Sequence, residues 1–265
     1  MTQTHIVITG STRGIGFGLA EAFLDLACSI TVSGRKAQDV HVVVKDLQSR
    51  FSPERVAGLA CDVNVPAQLQ ALWNSSVEKF GKVDIWVNNA GWSGNTGEVW
   101  TQPSKMISGV INTNLLGTIY GAQIAMQGML AQGYGAIYNM EGMGADGRKH
   151  AGLTIYGTSK SAVHYFTESM ALEAKGTPVL IGGLRPGMVI TGLITGRYID
   201  KPDELQRVKK VFNIIADRVE NVSPWLAKRM LANRKNGAIL AYSSIWRLMW
   251  RLAMQPFVRR DLFSP

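Results

Sequence analysis

Cysteine is scarce in this chain: Cys28 and Cys61 are the only two in 265 residues. Two cysteines do not make the disulfide framework of a small secreted domain, and both lie in apolar surroundings, so we interpret them as buried, reduced thiols. Long apolar runs are also missing, which argues against a membrane-spanning helix. Met1–His5 leads directly into a predicted strand, without a signal or transit peptide. These absences predict a cytoplasmic protein.

Acidic residues are outnumbered, with 19 Asp and Glu against 28 Lys and Arg. The excess is local, because residues 1–196 carry 14 basic and 13 acidic side chains, whereas residues 197–265 carry 14 and 6. A basic tail on a nearly neutral body indicates a local contact and not a nucleic-acid surface. The four histidines show no metal-ligand spacing, so we predict no metal site.

Short apolar, β-branched runs alternate with stretches of helical spacing. The runs lie at His5–Thr9, Ser29–Ser33, Val56–Cys61, Val83–Val87, Ala136–Met140, Val179–Leu184 and Ala238–Ala241. Strands separated by helices predict parallel pairing, and right-handed crossovers then give a doubly wound α/β sheet of seven strands. We predict one domain over residues 1–265, with the polar segment 190–236 as a substrate-side lid or insertion.

The turn after the first strand is rich in glycine and opens the first predicted helix. Gly10 permits a tight turn, Gly14 lets the backbone approach a pyrophosphate, and Gly16 lets the helix pack closely on the strand. The helix N-terminus offers N–H groups to phosphates. The sequence therefore predicts a dinucleotide site with contacts from Gly10, Ser11, Arg13, Gly14, Ile15 and Gly16.

The second predicted strand ends at Ser33 and is followed closely by Arg35, with no acidic side chain. An acidic residue there would bind the ribose 2′-hydroxyl of NAD, whereas an arginine accommodates the 2′-phosphate of NADP. Arg35, together with Arg13 in the glycine turn, therefore favours NADPH. Ser33 joins this site, and Asp62 and Val63, after the third strand, are expected to meet the adenine ring.

Tyr156 and Lys160 lie four residues apart and share one face of a predicted helix. A nearby ammonium favours the phenolate and lowers the phenol pKa from its usual value near 10. Tyr156 can then act as the general acid that protonates a carbonyl oxygen as hydride reaches the carbon. Lys160 can also hold the nicotinamide ribose.

Five motifs follow one another along nearly the whole chain. They are the glycine turn, Asn-Asn-Ala-Gly at 88–91, Asn114, Tyr156 with Lys160, and Pro-Gly-Met-Val-Ile-Thr at 186–191. Together they resemble the short-chain dehydrogenase/reductase family. The resemblance implies a Rossmann fold, hydride transfer from a nicotinamide, a homodimer or homotetramer, and a proton-relay water held by Asn114 beside Lys160. It adds cofactor contacts from Asn88, Ala90, Gly91, Pro186, Gly187 and Thr191.

One part of the family pattern is missing. The family has a serine about 13 residues before the tyrosine, but Met143 stands there, and residues 139–145 contain no hydroxyl group. Glu141 could polarise a carbonyl only when protonated, because a carboxylate repels a developing oxyanion. The alternative is that Glu141 is a structural acceptor for nearby backbone N–H groups.

The stretch Asn-Met-Glu-Gly-Met-Gly at 139–144 is similar to the N-[MI]-[DE]-G-x-G stretch of chlorophyll(ide) b reductases, which also lack the serine. Residues 85–91, 186–189 and 212–215 are similar to the same group. This resemblance implies NADPH-dependent reduction of the 7-formyl group of chlorophyll(ide) b to 7-hydroxymethyl. Two alternatives stay open: a reductase of another bulky hydrophobic ketone or aldehyde, and a non-catalytic nicotinamide- or pigment-binding protein.

Apolar residues at predicted strand ends indicate a wide, adaptable substrate wall. Its members are Trp92, Met143, Met188 and Leu193, and Glu141 lies beside them. Residues 244–265 form a basic amphipathic C-terminal segment in which Arg247 and Arg251 lie one helical turn apart. We expect 244–260 to pack on a partner subunit or over the active site, or alternatively to lie on a membrane surface.

Overall fold

The structure, a computed structural model, describes residues 3–195, 202–243, 245–254 and 260–263. Seven parallel strands form one sheet in the order β3-β2-β1-β4-β5-β6-β7. The strands are β1 His5–Ile8, β2 Ser29–Gly34, β3 Val56–Ala60, β4 Ile85–Asn88, β5 Gly135–Met140, β6 Val179–Arg185 and β7 Ala238–Ala241. This confirms the predicted doubly wound α/β fold, with strand ends within two residues of those expected.

Ten α-helices lie among the described residues. They are α1 Gly14–Asp25, α2 Ala37–Arg50, α3 Pro66–Phe80, α4 Ser104–Ile111, α5 Gly117–Gln132, α6 Thr154–Glu173, α7 Gly192–Thr195, α8 Pro202–Ile215, α9 Val219–Ala232 and α10 Ile245–Met254. A π-helical turn, Asn112–Leu116, joins α4 to α5. The strand order reverses between β1 and β4, which is where ligands bind in open α/β sheets.

Helices cover both faces of the sheet. Every residue of β1 is buried, and its side chains alternate between two cores: Ile6 and Ile8 face α1, α2 and α9, whereas Val7 faces α3 and α5. Burial on both faces explains why the strands are continuous apolar runs and not alternating ones. Because all seven strands are parallel, their carboxyl ends lie along one edge of the sheet, and the loops at that edge carry the predicted motifs.

The predicted lid at 190–236 is wrong for its second half. Helix α9 packs on α1, and Val222, Leu226 and Met230 are at most 2% exposed. A Cβ on Gly18 of α1 would lie 2.3 Å from Val219 Cγ1, so only glycine lets the two helices approach this closely. Helix α9 is thus a core crossover helix before β7, and its buried residues recur at the four-residue spacing of a helix face.

The C-terminal segment folds back on its own chain. Asp217 is 3% exposed and binds Arg251 of α10, Arg260 at 3.4 Å, and the Tyr242 hydroxyl at 2.8 Å. Two of the tail's cations therefore face the protein and not a membrane surface. Met249 and Trp250 stay exposed, while the side chains of residues 245–248 and residues 255–259 lie outside the described part of the chain.

Candidate active site

The glycine turn lies where β1 ends, and α1 begins at Gly14. Gly10 and Gly14 have φ of +62° and +57°, and a Cβ on Gly16 would lie 2.5 Å from the Gly10 carbonyl oxygen. These positions therefore require glycine. No side chain caps the N-terminus of α1 at Arg13, so its first N–H groups are available to a phosphate. The turn fits the dinucleotide role predicted for it.

Hydrogen bonds from buried and half-buried side chains fix the conformation of this turn. Ser33 N donates to Ser11 Oγ at 2.9 Å, and Asn89 Nδ2 donates to the carbonyl oxygens of Thr9 and Gly10, both at 2.9 Å. Ser11 and Ser33 are fully buried. Their hydroxyls therefore hold the end of β1 against β2, and the contacts of these two serines with a cofactor stay a prediction.

The two arginines predicted to read the 2′-phosphate lie at adjacent strand ends. A Cβ on Gly34 would lie 2.7 Å from Thr12 Cγ2, so the chain positions just before Arg13 and Arg35 are in contact. Both arginines are exposed, and neither has a hydrogen-bond or ion-pair partner within the described ranges. Their guanidinium groups are thus available to an anion.

Of the residues predicted to contact the cofactor after β3 and at the end of β4, Asp62 is half-buried, and Val63 and Asn88 are buried. Asp62 is half-buried and accepts a hydrogen bond from Asn64 N at 3.0 Å. Val63 packs against Gly117, and the Asn88 amide accepts from Trp86 Nε1 at 2.7 Å. Since Val63 and Asn88 are at most 5% exposed, their side chains support the core, and their contacts with a cofactor stay a prediction.

The Asn-Asn-Ala-Gly turn joins the glycine turn to the predicted catalytic residues. Ala90 N donates to Thr9 Oγ1 at 3.1 Å. At the other end of the turn, a Cβ on Gly91 would lie 3.4 Å from Asn114 Oδ1 and 3.7 Å from Lys160 Nζ. The structure thus brings the predicted cofactor and catalytic residues together at one edge of the sheet.

Asn114 lies in the π-helical turn and is fully buried. Its Oδ1 accepts from Trp92 N at 2.7 Å, and its Nδ2 donates to Trp92 O and to Ser159 Oγ, both at 2.9 Å. Ser159, in turn, donates to the Tyr156 carbonyl at 2.7 Å. The Asn114 side chain therefore ties the chain after β4 to helix α6, which carries the predicted catalytic residues, a structural role that sequence spacing did not reveal.

Tyr156 and Lys160 both reach the end of β5. Lys160 is 3% exposed and donates from Nζ to the Met140 carbonyl at 2.8 Å. Burial lowers the pKa of Lys160 to about 8, although the negative charge of Glu141 raises it in part. A Cβ on Gly142 would lie 2.5 Å from the Tyr156 hydroxyl oxygen and 3.2 Å from Lys160 Cγ. The phenol and the lysine side chain therefore share the space above Gly142.

Glu141 turns away from this space. Its side chain has no exposed surface, and its Oε2 accepts from Arg185 Nε at 2.8 Å and Nη2 at 2.7 Å. His164 Nδ1 donates to Oε1 at 2.8 Å. Of the two interpretations of Glu141, the structural acceptor matches these contacts, but the donors are side chains and not backbone N–H groups. A carboxylate enclosed in this way does not contact a substrate, so the predicted substrate role is corrected.

The loop after β6 completes the edge. Thr191 Cγ2 lies 3.5 Å from the position of a Cβ on Gly14, which places the end of the Pro186–Thr191 motif over the glycine turn. Gly187 has φ of +76°, which explains a glycine after Pro186. The Met188 carbonyl accepts from Asp217 N at 2.9 Å, and Ile190 N donates to the Asp217 carbonyl at 2.9 Å.

The predicted apolar wall is partly open. Trp92 and Leu193 are 41% and 37% exposed, and Met143 and Met188 are half-buried. The Trp92 ring covers Gly109, where a Cβ would lie 2.6 Å from it, and Met143 Cε lies 3.8 Å from a Cβ placed on Gly157, next to Tyr156. Met143 thus lies close to the residue after Tyr156, and Trp92 and Leu193 expose apolar surface.

The family model for short chain dehydrogenase matches residues 4–203. The chain belongs to the short-chain dehydrogenase family. This confirms the family and the oxidoreductase class expected from the five motifs.

Curated relatives agree with this family, and a solved structure agrees with the fold. The chain is 32% identical to "Probable chlorophyll(ide) b reductase NYC1, chloroplastic" from Arabidopsis thaliana, over 92% of this chain and 51% of the relative. It is 32% identical to "Chlorophyll(ide) b reductase NOL, chloroplastic" from Oryza sativa, over 86% of this chain and 66% of the relative. An actinorhodin polyketide ketoreductase solved with NADPH superposes with a TM-score of 0.81 at 24% identity, covering 91% and 95% of the two chains.

The chain thus spans between about half and two thirds of the two curated relatives. Among the described residues, no helix has the length and apolar character that crossing a membrane requires. Within the same ranges, no group of three or more His, Cys, Asp or Glu side chains is arranged to hold a metal ion.

Proposed function

We propose that the protein is an NADPH-dependent carbonyl reductase that reduces the 7-formyl group of chlorophyll(ide) b. The observation that carries the reductase is the meeting of Tyr156 and Lys160 above Gly142, next to the turn at Gly91 that leads to the glycine turn. Support for the pigment comes from the two reductases that are 32% identical and from the stretch at 139–144 that replaces the family's serine.

The cofactor is proposed from the fit of the residues at the ends of β1 and β2. The open N-terminus of α1 suits a pyrophosphate, and the two exposed arginines, Arg13 and Arg35, suit a 2′-phosphate. NADPH supplies a hydride when bound. Lys160, buried next to Gly91, is placed to donate hydrogen bonds to the nicotinamide ribose.

Tyr156 performs the proton transfer. Its hydroxyl donates to the substrate carbonyl oxygen and transfers the proton as the carbon is reduced, and the nearby Lys160 ammonium stabilises the phenolate that results. No hydroxyl side chain in 139–145 assists it. Trp92, Met143, Met188 and Leu193 present apolar surface that suits a large planar pigment.

The first test is turnover with pigment. The protein, incubated with NADPH and chlorophyllide b, should remove the 7-formyl absorbance band and oxidise NADPH in equal amounts. Turnover of a panel of pigment-free ketones and aldehydes, without any with chlorophyllide b, would favour the other bulky carbonyl. Binding of NADPH without oxidation by either substrate set would favour the non-catalytic binding protein.

Tyr156→Phe tests the proposed acid. General acid catalysis contributes about 10²- to 10⁴-fold, so kcat/KM should fall by at least about 100-fold while NADPH still binds. Tyr165→Phe is the matched control, because Tyr165 lies on the same helix but is 75% exposed. An unchanged kcat/KM in Tyr156→Phe would show that another group supplies the proton.

A further inference from the structure

A buried charged cluster lies directly behind the catalytic pair. Glu141 follows Met140, whose carbonyl accepts from Lys160 Nζ at 2.8 Å, so the carboxylate stands one residue from the lysine's backbone partner. His164 lies one turn after Lys160 on α6 and donates to Glu141 Oε1 at 2.8 Å. Arg185, the last residue of β6, binds Glu141 Oε2 through two nitrogens. Two strands and the catalytic helix thus converge on one carboxylate.

This cluster is more elaborate than a core needs. Burying a carboxylate is costly unless it is paired, and apolar residues could fill the same space at little or no loss of stability. The cluster is placed instead where its charge acts on Lys160. The negative charge of Glu141 opposes the effect of burial on the lysine, which lowers the pKa of Lys160.

The other groups around Lys160 do not supply a negative charge of this kind. On α6 the ionisable neighbours are Tyr156 and His164; from the sheet they are Glu141 and Arg185. The turn at Gly91 and the π-helical turn face the lysine with a glycine and the Asn114 amide. Within the described residues, Glu141 therefore supplies the negative charge that acts on the lysine.

We propose that Glu141 is a positioning residue for the reduction: its buried carboxylate, anchored by Arg185 and His164, keeps Lys160 in its ammonium form beside Tyr156. The proposal rests on the reductase function proposed above. Without the carboxylate charge, the effect of burial is unopposed and Lys160 loses its proton at a lower pH. The phenol then has no neighbouring cation at the pH at which the enzyme works. The acidic residue at this position thus acts through the lysine and not on the substrate.

The test compares four forms of the full chain: the wild type, Glu141→Gln, Arg185→Gln and the double variant. The double variant removes both charges, so it leaves no unpaired guanidinium if the single Glu141→Gln change prevents folding. The titration of Lys160 is followed by NMR with ¹³C-labelled lysine, and its signal is assigned by its absence in Lys160→Met. This measurement needs no substrate and no cofactor.

The Lys160 titration midpoint should fall by about one pH unit or more in Glu141→Gln. It should fall by less in the double variant, because removing the nearby Arg185 cation partly offsets the loss of the carboxylate. It should not fall in Arg185→Gln, where the carboxylate is kept. The alkaline limb of the kcat/KM profile should move to lower pH in Glu141→Gln and in the double variant. Glu168→Gln is the control, because Glu168 contacts the other nitrogen of His164 at 3.5 Å but is 61% exposed.

An unchanged Lys160 midpoint in both Glu141 variants would overturn the proposal, as would an equal fall in Arg185→Gln, which would indicate a general loosening of the site. The Lys160 midpoint could instead shift as expected in the variants while the wild type turns over no carbonyl substrate. That result would contradict the proposed function and leave the coupling of Glu141 to Lys160 established.

Discussion

We propose that single residues decide which nicotinamide cofactor binds. Arg35 stands exposed at the end of β2 with no partner among the described residues, so its charge is available to a 2′-phosphate. Hydrogen bonds to charged groups contribute about 1.5–3 kcal/mol, which corresponds to roughly 10- to 150-fold in affinity. The sequence predicts this preference for NADPH, because the prediction depends on two arginines, Arg13 and Arg35, at adjacent strand ends.

Arg35→Ala should therefore weaken NADPH binding by at least about 10-fold and change NADH binding little, as measured by cofactor fluorescence titration. Lys45→Ala, which removes an exposed cation from α2, serves as the control and should leave both affinities unchanged. Equal weakening of NADPH and NADH would show that Arg35 does not contact the 2′-phosphate.

Lys160 makes stability depend on pH. Burial lowers the pKa of Lys160 from 10.5 to about 8, so between these values the unfolded chain holds a proton that the folded chain has released. The unfolded state then binds more protons, and the free energy of unfolding rises with pH in this window. The charged form is thus tolerated at neutral pH at the expense of stability.

The difference in unfolding free energy between the wild type and Lys160→Met should grow in favour of the wild type from about pH 8 upward, in urea denaturation at a series of pH values. Lys175→Met, which alters an exposed lysine after α6, should give a difference that does not vary with pH. A pH-independent difference for Lys160→Met would mean that this lysine titrates at its ordinary pKa.

The sequence predicted which residues lie at the candidate site better than it predicted the contacts of their side chains. The glycine turn, the Asn-Asn-Ala-Gly turn and Tyr156 with Lys160 were predicted because each is a local pattern at a strand end or on one helix turn. The partners of Glu141 come from α6 and from β6, more than 20 residues away, and no local pattern announces them. His164 had one readable signal, its four-residue spacing from Lys160.

At the scale of elements, Asp217 joins the C-terminal segment to the substrate-side loop. Its backbone bonds to residues 188 and 190, and its carboxylate binds Arg251 of α10 and Tyr242. Burial alone would raise the pKa of Asp217, but the hydrogen bonds that it accepts lower the pKa below its ordinary value. Its contribution to stability is therefore present above the unfolded pKa and lost as pH falls through the lowered one.

Asp217→Asn should destabilise the protein by about 3 kcal/mol, because removing one partner of a buried ion pair leaves the guanidinium groups unpaired. Urea unfolding measures the loss, and the difference from the wild type should shrink in acid. Asp203→Asn, at an exposed position of α8, is the control. If both variants unfold alike at neutral pH, the Asp217 contacts add nothing to the fold.

The elements themselves were largely predictable, with the exception of α9. The seven strands are apolar runs bounded by turn residues, and all seven were found. The 190–236 segment was predicted as a lid because its overall composition is polar. The apolar face of α9 has only a narrow stripe, Val222, Leu226 and Met230, and a segment average hides such a stripe.

At the scale of the whole molecule, the exposed apolar surface of α10 is a candidate contact. Met249 and Trp250 are 54% and 64% exposed, while Arg251 beside them faces Asp217. A membrane surface would attract the cations of this segment, and two of them, Arg251 and Arg260, are turned inward. A homodimer or homotetramer in which α10 meets a partner subunit is therefore the better expectation.

Light scattering should give two or four chain masses for the wild type, and Trp250→Glu should halve the mass or reduce it to one chain. Val42→Glu changes an equally exposed apolar residue on α2 and should leave the mass unchanged. Sedimentation with anionic lipid vesicles tests the alternative, in which α10 lies on a membrane surface. Vesicle binding that Trp250→Glu abolishes, together with an unchanged mass, would assign the α10 surface to lipid.

The amide of Asn89 has a consequence for the order of folding. It closes the glycine turn by donating to Thr9 and Gly10 across about 80 positions of the chain, and β1 pairs with β4 over a similar distance. A growing chain that has reached α3 already contains every glycine of that turn but lacks the group that fixes its backbone. We therefore expect affinity for a dinucleotide to arise only after β4 has been made and has paired with β1.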